Sequence, residues 1–315
     1  MKRKVKVTIG VCVKNCETTI KDAIGSIINQ DFPYELVEVI FVDDGSTDKT
    51  LSVIERYVPK MDMQVKVFHQ EWKGLGTARN VVVNNASGDY IVWVDGDMIL
   101  QRDYVRKHVE FMEQNEKVAI ARGIFRGLPQ NSLVAMLENM EWIAVDFLAK
   151  EKEKIKDRLH FCGGSIYRVK AVKEVGSFDE RIKGAGEDEE IEHRLKGAGW
   201  LVTSGAQVIF YEKRKNTLKA LWNQHFWYGY STRYLFDKKR KVVNPTSFLL
   251  QFSYSKIAYR LTKRKVAFLL PFEYCFKAMA SCFGFVKGQV ERHKHTIGNE
   301  QRSVKVLTMV SQAQL

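Results

Sequence analysis

Cysteine is scarce in this chain of 315 residues, and none of its five cysteines has the spacing of a metal site. Their odd number and scattered positions fit a reducing compartment, where cysteines mostly serve as small buried apolar residues. A long apolar stretch is also missing after the basic start Met1-Lys2-Arg3-Lys4. We therefore expect no cleaved signal peptide.

Negative charge is in deficit: 37 acidic residues face 50 lysines and arginines, for a net charge of +13. A surplus of this size indicates an anionic partner, either nucleic acid, a phosphorylated metabolite or a membrane surface. The charge alone does not choose among them. The apolar fraction of 45% excludes a wholly disordered chain, and the length allows one large domain or two smaller ones.

The first part of the chain alternates between strand and helix patterns. Runs of β-branched and apolar residues are followed by segments with helical periodicity. This alternation predicts an α/β domain with a mainly parallel sheet covered on both faces, whose ligands bind beyond the carboxyl ends of the strands. The expected strands cover 5–13, 37–42, 65–68 and 89–94, and the expected helices include 76–86.

Carboxylates stand at two of these strand ends, in Asp43-Asp44 and in Asp95-Gly96-Asp97. Two carboxylates one residue apart can face one cavity and bind a hard divalent cation such as Mg²⁺ or Mn²⁺. A cation held by so few carboxylates keeps open positions that substrate phosphates fill. The pair Asp95 and Asp97 therefore indicates metal-assisted chemistry on a phosphorylated substrate, with a plain solvated turn as the alternative.

The middle of the chain is less regular. We expect an amphipathic helix over 132–150, a short strand over 162–167 and a helix over 186–196. Residues 200–211 are predicted to form the last strand of a first domain that covers 1–212.

Beyond Thr217 the composition changes to helix formers, aromatic residues and bases, including the basic run Lys238-Lys239-Arg240-Lys241. We expect a helical region over 213–290 and a flexible tail over 291–315. The basic and aromatic character of the helical region predicts association with a membrane.

One stretch of this region, 266–286, has about the length of a membrane span. The charges of Glu273 and Lys277 and the ring of Pro271 favour instead an interfacial helix, whose bases meet anionic lipid headgroups. Packing of the helices on the first domain is the plain alternative. Whether 266–286 span the membrane or lie on it stays open.

A set of motifs in a distinctive order carries a resemblance to a known family. The motifs are Val7-Thr8-Ile9-Gly10-Val11-Cys12-Val13-Lys14-Asn15, Val42-Asp43-Asp44-Gly45-Ser46-Thr47-Asp48, Gly74-Leu75-Gly76-Thr77-Ala78-Arg79-Asn80, Asp95-Gly96-Asp97 and Gly186-Glu187-Asp188. Over roughly residues 5 to 230, the sequence resembles the family 2 glycosyltransferases of GT-A fold. The resemblance implies an inverting enzyme that uses a nucleotide-diphospho-sugar donor.

The resemblance also implies roles for the first motifs. Asp44 matches the carboxylate that accepts a hydrogen bond from the nucleotide base, and Lys73 and Arg79 lie where cations compensate the diphosphate charge. Asp95 and Asp97 match the metal motif, in which Mn²⁺ or Mg²⁺ bridges the two phosphates and stabilises the leaving nucleoside diphosphate. Asp97 is expected to bind the cation directly, while Asp95 binds it or touches the ribose.

The later motifs match the acceptor side. Asp188 matches the catalytic base of inverting members, which takes the proton of the attacking sugar hydroxyl. An acidic helix cap is the alternative, because further carboxylates crowd the same turn. Glu187 is expected to contact the acceptor. Gly163 and Gly164 match a backbone segment beside the sugar, where the missing side chains admit ligand.

The sequence departs from the family pattern at several positions. Cys12 and Lys14 replace the common proline and tyrosine of the first motif, which leaves the base contacts there open. The Gln-x-x-Arg-Trp signature of processive polysaccharide synthases is missing, so we expect no processive synthesis. His225 stands in the helix after the sheet and is a candidate ligand of the metal or the diphosphate, with interfacial packing as the alternative.

The acceptor is narrowed by one comparison within the family. Dolichyl-phosphate sugar synthases transfer to an ionised phosphate and need no carboxylate base. The pair Glu187-Asp188, together with the apolar Ile99 where those enzymes often have a polar ligand, favours an acceptor hydroxyl. We expect this hydroxyl on a lipid-linked or cell-surface glycan, and a polyprenyl-phosphate sugar synthase is the alternative.

The expected function is thus transfer of a sugar from a nucleotide-diphospho-sugar, with UDP favoured over GDP. The expected partners are this donor, a glycan or lipid-linked acceptor and an anionic membrane surface, but no nucleic acid. The expected location is cytoplasmic and peripheral, on the cytoplasmic face of the membrane.

Two other classes fit less well. A sugar-phosphate nucleotidyltransferase needs a glycine-rich, arginine-containing loop after its first strand, and this chain has Val11-Cys12-Val13-Lys14-Asn15 there. A basic scaffold that binds membrane or nucleic acid accounts for the charge but not for the motifs at the strand ends.

Overall fold

The computed structural model describes residues 4–151, 162–231 and 245–312, so the basic run at 238–241 lies outside the described residues. The strands are β1 (Val7–Val13), β2 (Val37–Asp44), β3 (Gln64–Gln70), β4 (Tyr90–Trp93), β5 (Met98–Leu100), β6 (Val118–Arg122), β7 (Ile124–Gly127), β8 (Ser165–Arg168), β9 (Leu201–Thr203) and β10 (Ile209–Glu212). The helices are α1 (Ile20–Ile28), α2 (Thr50–Tyr57), α3 (Leu75–Asn85), α4 (Tyr104–Gln114), α5 (Leu133–Glu151), α6 (Val169–Glu174), α7 (Glu187–Gly197), α8 (Leu218–Ser231), α9 (Pro245–Thr262) and α10 (Leu270–Gln312).

Seven of the strands form one sheet in the order β3-β2-β1-β4-β8-β6-β9. The first four strands of this order pair in parallel, whereas β8 runs antiparallel to both of its neighbours. The predicted α/β class with a mainly parallel central sheet is therefore confirmed.

The central strands are buried along their whole length because both faces of the sheet are covered. Alternate residues of β2 contribute to two hydrophobic clusters, with Val39 and Phe41 in one and Ile40 and Val42 in the other. The parallel register brings the carboxyl ends of β1, β2 and β4 to one edge of the sheet. That edge is where the predicted site is expected.

Residues 200–211, predicted as one strand, form two strands in different sheets. β9 pairs with β6 in the large sheet, whereas β10 joins β5 and β7 in a three-stranded sheet. The break falls at the turn around Gly205 and Gln207, whose φ angles are 63° and 56°. The prediction was wrong because the β-rich composition on both sides concealed this turn, which redirects β10 toward the strand-end edge.

The C-terminal helices α8, α9 and α10 pack together and against α5. Helices α8 and α10 approach so closely that a Cβ on Gly229 would collide with the carbonyl group of Ser281. A Cβ on Gly284 would likewise collide with the carbonyl group of Phe226. Backbone-to-backbone contact at this crossing fixes α10 against α8.

The helical segment Lys265–Glu291 is long and apolar enough to cross a membrane by length and composition, with a mean hydropathy of 1.3. Two of the five charged residues inside it, Glu273 and Lys277, are nevertheless buried, and they lie close to α5. The Lys277 ammonium forms ion pairs with Glu138, with Glu141 (2.7 Å) and with Glu273 (3.5 Å). These carboxylates lie close enough to share a metal ion, but the Lys277 ammonium lies among them and already offsets part of their charge.

The flexibility expected of the tail over 291–315 stays a prediction, and within that tail α10 continues as far as Gln312. The physical reason lies in the composition, since no proline interrupts residues 291–312.

The close crossing of α8 and α10 makes a stability prediction. Gly284→Val should lower the free energy of unfolding by about 1–3 kcal/mol or more, because the added side chain must push the two backbones apart. Gly25→Ala in α1 is the matched control: nothing lies within 4 Å of its added Cβ, so it should be neutral or slightly stabilising. Chemical denaturation measures the free energy of unfolding of both variants. Equal changes in this free energy would contradict the close contact between α8 and α10.

Candidate active site

Two adjoining cavities of about 1120 and 670 Å³ open at the carboxyl ends of β1, β2 and β4. Asp97, Lys215 and Tyr228 line both, so the two form one cleft. Of the described residues, five basic and two acidic ones line the larger cavity, whereas six acidic and four basic ones line the smaller. The cleft therefore has a positive end and a negative end.

Asp44 lies at the positive end, and its carboxylate organises the loop before α3. Its Oδ1 accepts hydrogen bonds from Gln70 Nε2 (2.7 Å) and the backbone N–H of Lys73 (2.9 Å), and its Oδ2 accepts one from the N–H of Gly74 (2.9 Å). The Lys73 side chain is exposed and is not among the cavity-lining residues. Its diphosphate contact therefore stays a prediction, and the contact that the structure shows between Lys73 and Asp44 is made by the backbone of Lys73.

Aromatic rings frame the mouth of the larger cavity. The ring centroids of Trp72 and Trp227 lie 5.6 Å apart. Lys14 Nζ lies 4.7 Å from the centroid of the Trp72 ring. Trp72 is 42% exposed, although burying such a ring is favourable. An exposed indole beside Asp44 is suited to cover a planar ligand, and the sequence analysis did not single it out.

Asp95 lies at the negative end, where burial raises the pKa of its carboxyl to about 6. The neighbouring charges of Asp97 and Asp188 add to the rise, while Arg79 opposes it. Gly163 backs onto this carboxylate so closely that a Cβ there would collide with Asp95 Oδ2. Gly164 is held beside it by a backbone hydrogen bond to the Trp93 carbonyl (2.8 Å).

Asp97 stands at the boundary between the two ends. Its Oδ2 forms an ion pair with Lys215 Nζ at 3.1 Å, and this contact raises the pKa of the lysine. Glu212 faces the same group, and burial together with the charge of Asp97 raises the pKa of its carboxyl to about 8. Cations and carboxylates thus alternate along this wall.

The residues after β10 are the main part of the site that the sequence analysis missed. Lys213, Arg214 and Lys215 all line the larger cavity. They follow the carboxyl end of a strand, as Asp44 and Asp95 do, and that position was the available signal. The predicted strand over 200–211 also ends directly before them, but the turn at Gly205 that directs β10 toward the cleft was not predicted.

Arg79 does not extend a free guanidinium toward a diphosphate. It forms a buried ion pair with Glu187, and its guanidinium lies 5.6 Å from the ring centroids of both Trp93 and Phe178. The predicted phosphate contact of Arg79 is therefore corrected, because Glu187 and the rings already enclose its charge. Only 5% of the Arg79 side chain is exposed.

Glu187 has one satisfied oxygen and one that is not. Its Oε1 accepts from Arg79, whereas Oε2 is buried with no hydrogen-bond partner among the described residues. Burial raises the pKa of Glu187 to about 7, and the positive charge of Arg79 limits the rise. Since Glu187 lines the smaller cavity, an incoming hydroxyl can donate to Oε2. The predicted acceptor contact thus remains a prediction that this geometry accommodates.

Asp188 follows directly in the first turn of α7 and also lines the smaller cavity. Its Oδ1 accepts from the backbone N–H of Glu189 at 2.8 Å. The N-terminal end of the helix favours the negative charge of this carboxylate. Asp44, Asp95, Asp97 and Asp188 therefore all line the cleft, whereas their roles in it stay predictions.

His225 does not join them. It is not among the residues that line either cavity, and the charges acting on its ring are those of Lys277, Glu138 and Glu141. Burial lowers its pKa to about 4. The predicted role as a ligand of metal or diphosphate is therefore corrected: His225 belongs to the interface between α8 and the other C-terminal helices.

A family model described as Glycosyl transferase family 2 matches residues 8–176, which is more than half of the chain. The chain belongs to this family. The matched segment contains Asp44, Asp95 and Asp97, but it ends before Asp188 and Lys215. The family assignment makes the protein a glycosyltransferase, with the GT-A-type α/β fold described above.

The glycosyltransferase is similar to curated relatives over part of its length. Over 131 residues it is 30% identical to poly(ribitol-phosphate) beta-N-acetylglucosaminyltransferase TarS of Staphylococcus aureus, a match that covers 40% of this chain and 23% of TarS. The chain thus spans about a quarter of that relative.

Two solved structures are similar in fold. The mannosyltransferase PcManGT from Pyrobaculum calidifontis, in complex with GDP-Man and Mn²⁺, has a TM-score of 0.61 and 16% identity, covering 91% of this chain and 88% of that one. S. aureus TarS 1–349 in complex with UDP-GlcNAc has a TM-score of 0.50 and 18% identity, covering 92% of each chain. At such identities these structures support the fold alone.

The buried Arg79–Glu187 pair predicts a non-additive effect on stability. Arg79→Met should lower the free energy of unfolding by about 3–5 kcal/mol, because it leaves the Glu187 carboxylate buried without a partner. The double variant Arg79→Met/Glu187→Leu should recover most of that loss. Urea denaturation measures both.

Arg106→Met is the control for these variants. It breaks the ion pair with Asp31, in which the side chains of Arg106 and Asp31 are 39% and 29% exposed. It should cost less than about 1 kcal/mol. A double variant as unstable as Arg79→Met alone would contradict the electrostatic explanation.

Proposed function

We propose that this glycosyltransferase moves a sugar, with inversion and with Mn²⁺ or Mg²⁺, from a nucleotide-diphospho-sugar to a hydroxyl of a lipid-linked or cell-surface glycan. The observation that carries the proposal is the division of the cleft into a basic end and an acidic end, with Asp97 between them. A nucleoside diphosphate matches the first end, and a base for hydroxyl activation belongs at the second.

The donor is assigned to the positive end. The Asp44 carboxylate accepts three hydrogen bonds and has capacity to accept one more. This spare capacity suits the imide N–H of a pyrimidine base. Lys213, Arg214 and Lys215 supply positive charge for the diphosphate in place of the enclosed Arg79. We favour UDP over GDP because of this carboxylate and because the similar TarS was solved in complex with UDP-GlcNAc.

The chemistry of the smaller cavity fits a divalent cation. The Lys215 ammonium already stands against Asp97 as a positive group. Burial, with a smaller contribution from the charges of Asp97 and Asp188, raises the pKa of Asp95, so added positive charge would be favoured beside it. Asp97, with Asp95, would hold the cation. When bound, a divalent cation stabilises the negative charge that develops on the leaving diphosphate.

Asp188 is assigned as the general base for the acceptor hydroxyl. Its half-buried carboxylate accepts one backbone hydrogen bond through Oδ1, which leaves acceptor capacity for a substrate proton. The free Oε2 of Glu187 can orient the same acceptor. The Arg79–Glu187 pair positions this end of α7, because both side chains are almost fully buried.

Removal of the Asp97 carboxylate tests the metal assignment. With UDP-sugars as probes, release of UDP should require Mn²⁺ or Mg²⁺, and Asp97→Asn should lower it by more than about 100-fold, because loss of an outer partner alone costs about 10–100-fold. Stabilisation of the wild type by Mn²⁺ should be weaker at pH 5 than at pH 7.5, since the carboxyl of Asp95 with its pKa of about 6 must lose a proton to bind the ion.

Asp62 is exposed, so Asp62→Asn is the control for Asp97→Asn. It should keep both the metal-dependent release of UDP and the stabilisation by Mn²⁺. Turnover of equal rate in chelator would overturn metal dependence. Activity of Asp97→Asn equal to the wild type would remove that residue from the site.

Replacement of the proposed base tests the acceptor class. Asp188→Asn should lower kcat by about 10²–10⁴-fold, while donor binding stays close to that of the wild type. Glu190→Gln in the same turn is the control, because Glu190 pairs with Arg194 and is not among the cavity-lining residues. Full activity of Asp188→Asn would favour the alternative of a phosphate acceptor, as in a polyprenyl-phosphate sugar synthase.

A further inference from the structure

The outer face of the C-terminal helices is apolar and uncovered among the described residues. Its exposed large side chains recur at helical spacing along α10, where the two most exposed are Phe272 at 72% and Phe283 at 63%. The others on this part of the chain are Phe268, Leu269, Met279, Val286 and Val290 on the same segment and Leu249, Leu250, Phe252 and Leu261 on α9. On α10 the exposed residues 272, 279, 283, 286 and 290 are three, four or seven positions apart, so they share one face of the helix. An exposed apolar face of this kind marks an interaction site.

The charges around this surface are all of one sign. Between residues 248 and 290, every exposed charged side chain is basic. They are Lys256, Arg260, Lys263, Arg264, Lys265 and Lys287. The acidic residue of that segment, Glu273, is buried. We call these apolar and basic side chains together the basic-apolar face.

The inner face of α10 rules out a fully lipid-surrounded helix. Lys277 and Glu273 are 8% or less exposed in their side chains and interact with Glu138 and Glu141 of α5. The cost of separating these charges into lipid is prohibitive, whereas their present partners keep them inside the protein. The helix is therefore amphipathic: its outer face is apolar, and its face toward α5 contains the charged residues Glu273 and Lys277.

We propose that the basic-apolar face docks on an anionic lipid bilayer, with α10 lying in the interfacial plane. The apolar rings enter the headgroup boundary, and the surrounding bases contact anionic headgroups. A second copy of this chain is a poorer occupant, because the same face would bring two sets of bases together without an exposed acid between residues 248 and 290 to pair with them.

The docking surface lies one helix layer from the cleft. α8 packs on α10 through Gly229 and Gly284, and its other side gives Gln224 and Tyr228 to the cavity lining. Packed helix axes are separated by about 8–10 Å. A bilayer on the basic-apolar face thus lies within a short distance of the cleft, and this orientation does not depend on the identity of the donor sugar.

Vesicle binding by the full chain tests the proposal. The wild type should sediment with vesicles of phosphatidylcholine containing roughly one third phosphatidylglycerol at least about tenfold more than with phosphatidylcholine alone. The double variants Phe272→Asp/Phe283→Asp and Lys263→Glu/Lys265→Glu should each lower binding at least about tenfold, since they remove apolar anchors and headgroup contacts respectively. Unchanged thermal unfolding shows that these exposed substitutions leave the fold intact.

Matched controls lie elsewhere on the surface. Leu201→Asp replaces a 56% exposed apolar residue of β9, and Lys117→Glu/Lys170→Glu reverses two exposed bases outside the face. Both should bind vesicles as the wild type does. Equal loss in these controls, or no binding by the wild type, would overturn the proposal.

Two further outcomes would also overturn it. Retention of the chain in vesicles after alkaline carbonate extraction would indicate a spanning helix instead of an interfacial one. A concentration-dependent dimer in light scattering, lost in Phe272→Asp/Phe283→Asp and accompanied by no vesicle binding, would assign the face to a second copy. Glycosyl transfer is not the readout, so failure here leaves the proposed reaction standing.

Discussion

A buried ion pair between Arg79 in α3 and Glu187 at the start of α7 fixes the arrangement on which the site depends. Both side chains are at most 5% exposed, and the guanidinium lies between two aromatic rings. Such a pair adds little net stability over apolar packing, but separating it is strongly unfavourable. This ion pair therefore fixes the start of α7. Because Asp188 directly follows Glu187, the pair also fixes the position of Asp188 in the cleft.

Much of the fold and several site residues were predictable from the sequence because both follow from short-range rules. Buried parallel strands have continuous apolar runs, and their carboxyl ends meet at one edge. Asp44, Asp95 and Asp97 lie at such ends, and Asp188 lies at a helix start that faces the same edge. Their convergence needs only the strand order, which the alternation of strand and helix largely determines.

The remaining features depend on partners that are distant in the sequence. The position of the Arg79 charge is decided by a carboxylate 108 residues away, so no local pattern could assign it. His225 faces the C-terminal helices while its neighbour Gln224 faces the cleft, because successive residues of a helix point about 100° apart. The turn at Gly205 directs β10, and the basic residues after it, toward the cleft. The β-rich segments on both sides of this turn gave no local signal for it.

The contact between Lys215 and Asp97 has a thermodynamic consequence for the proposed reaction. One carboxylate serves as the partner of the ammonium, so a divalent cation and Lys215 compete for it. A diphosphate offers the displaced ammonium another partner of opposite charge. Donor and cation would then bind with positive cooperativity, and by reciprocity each would raise the affinity of the other by the same factor. Without the donor, the lysine would act as an internal competitor that keeps the affinity for the ion low.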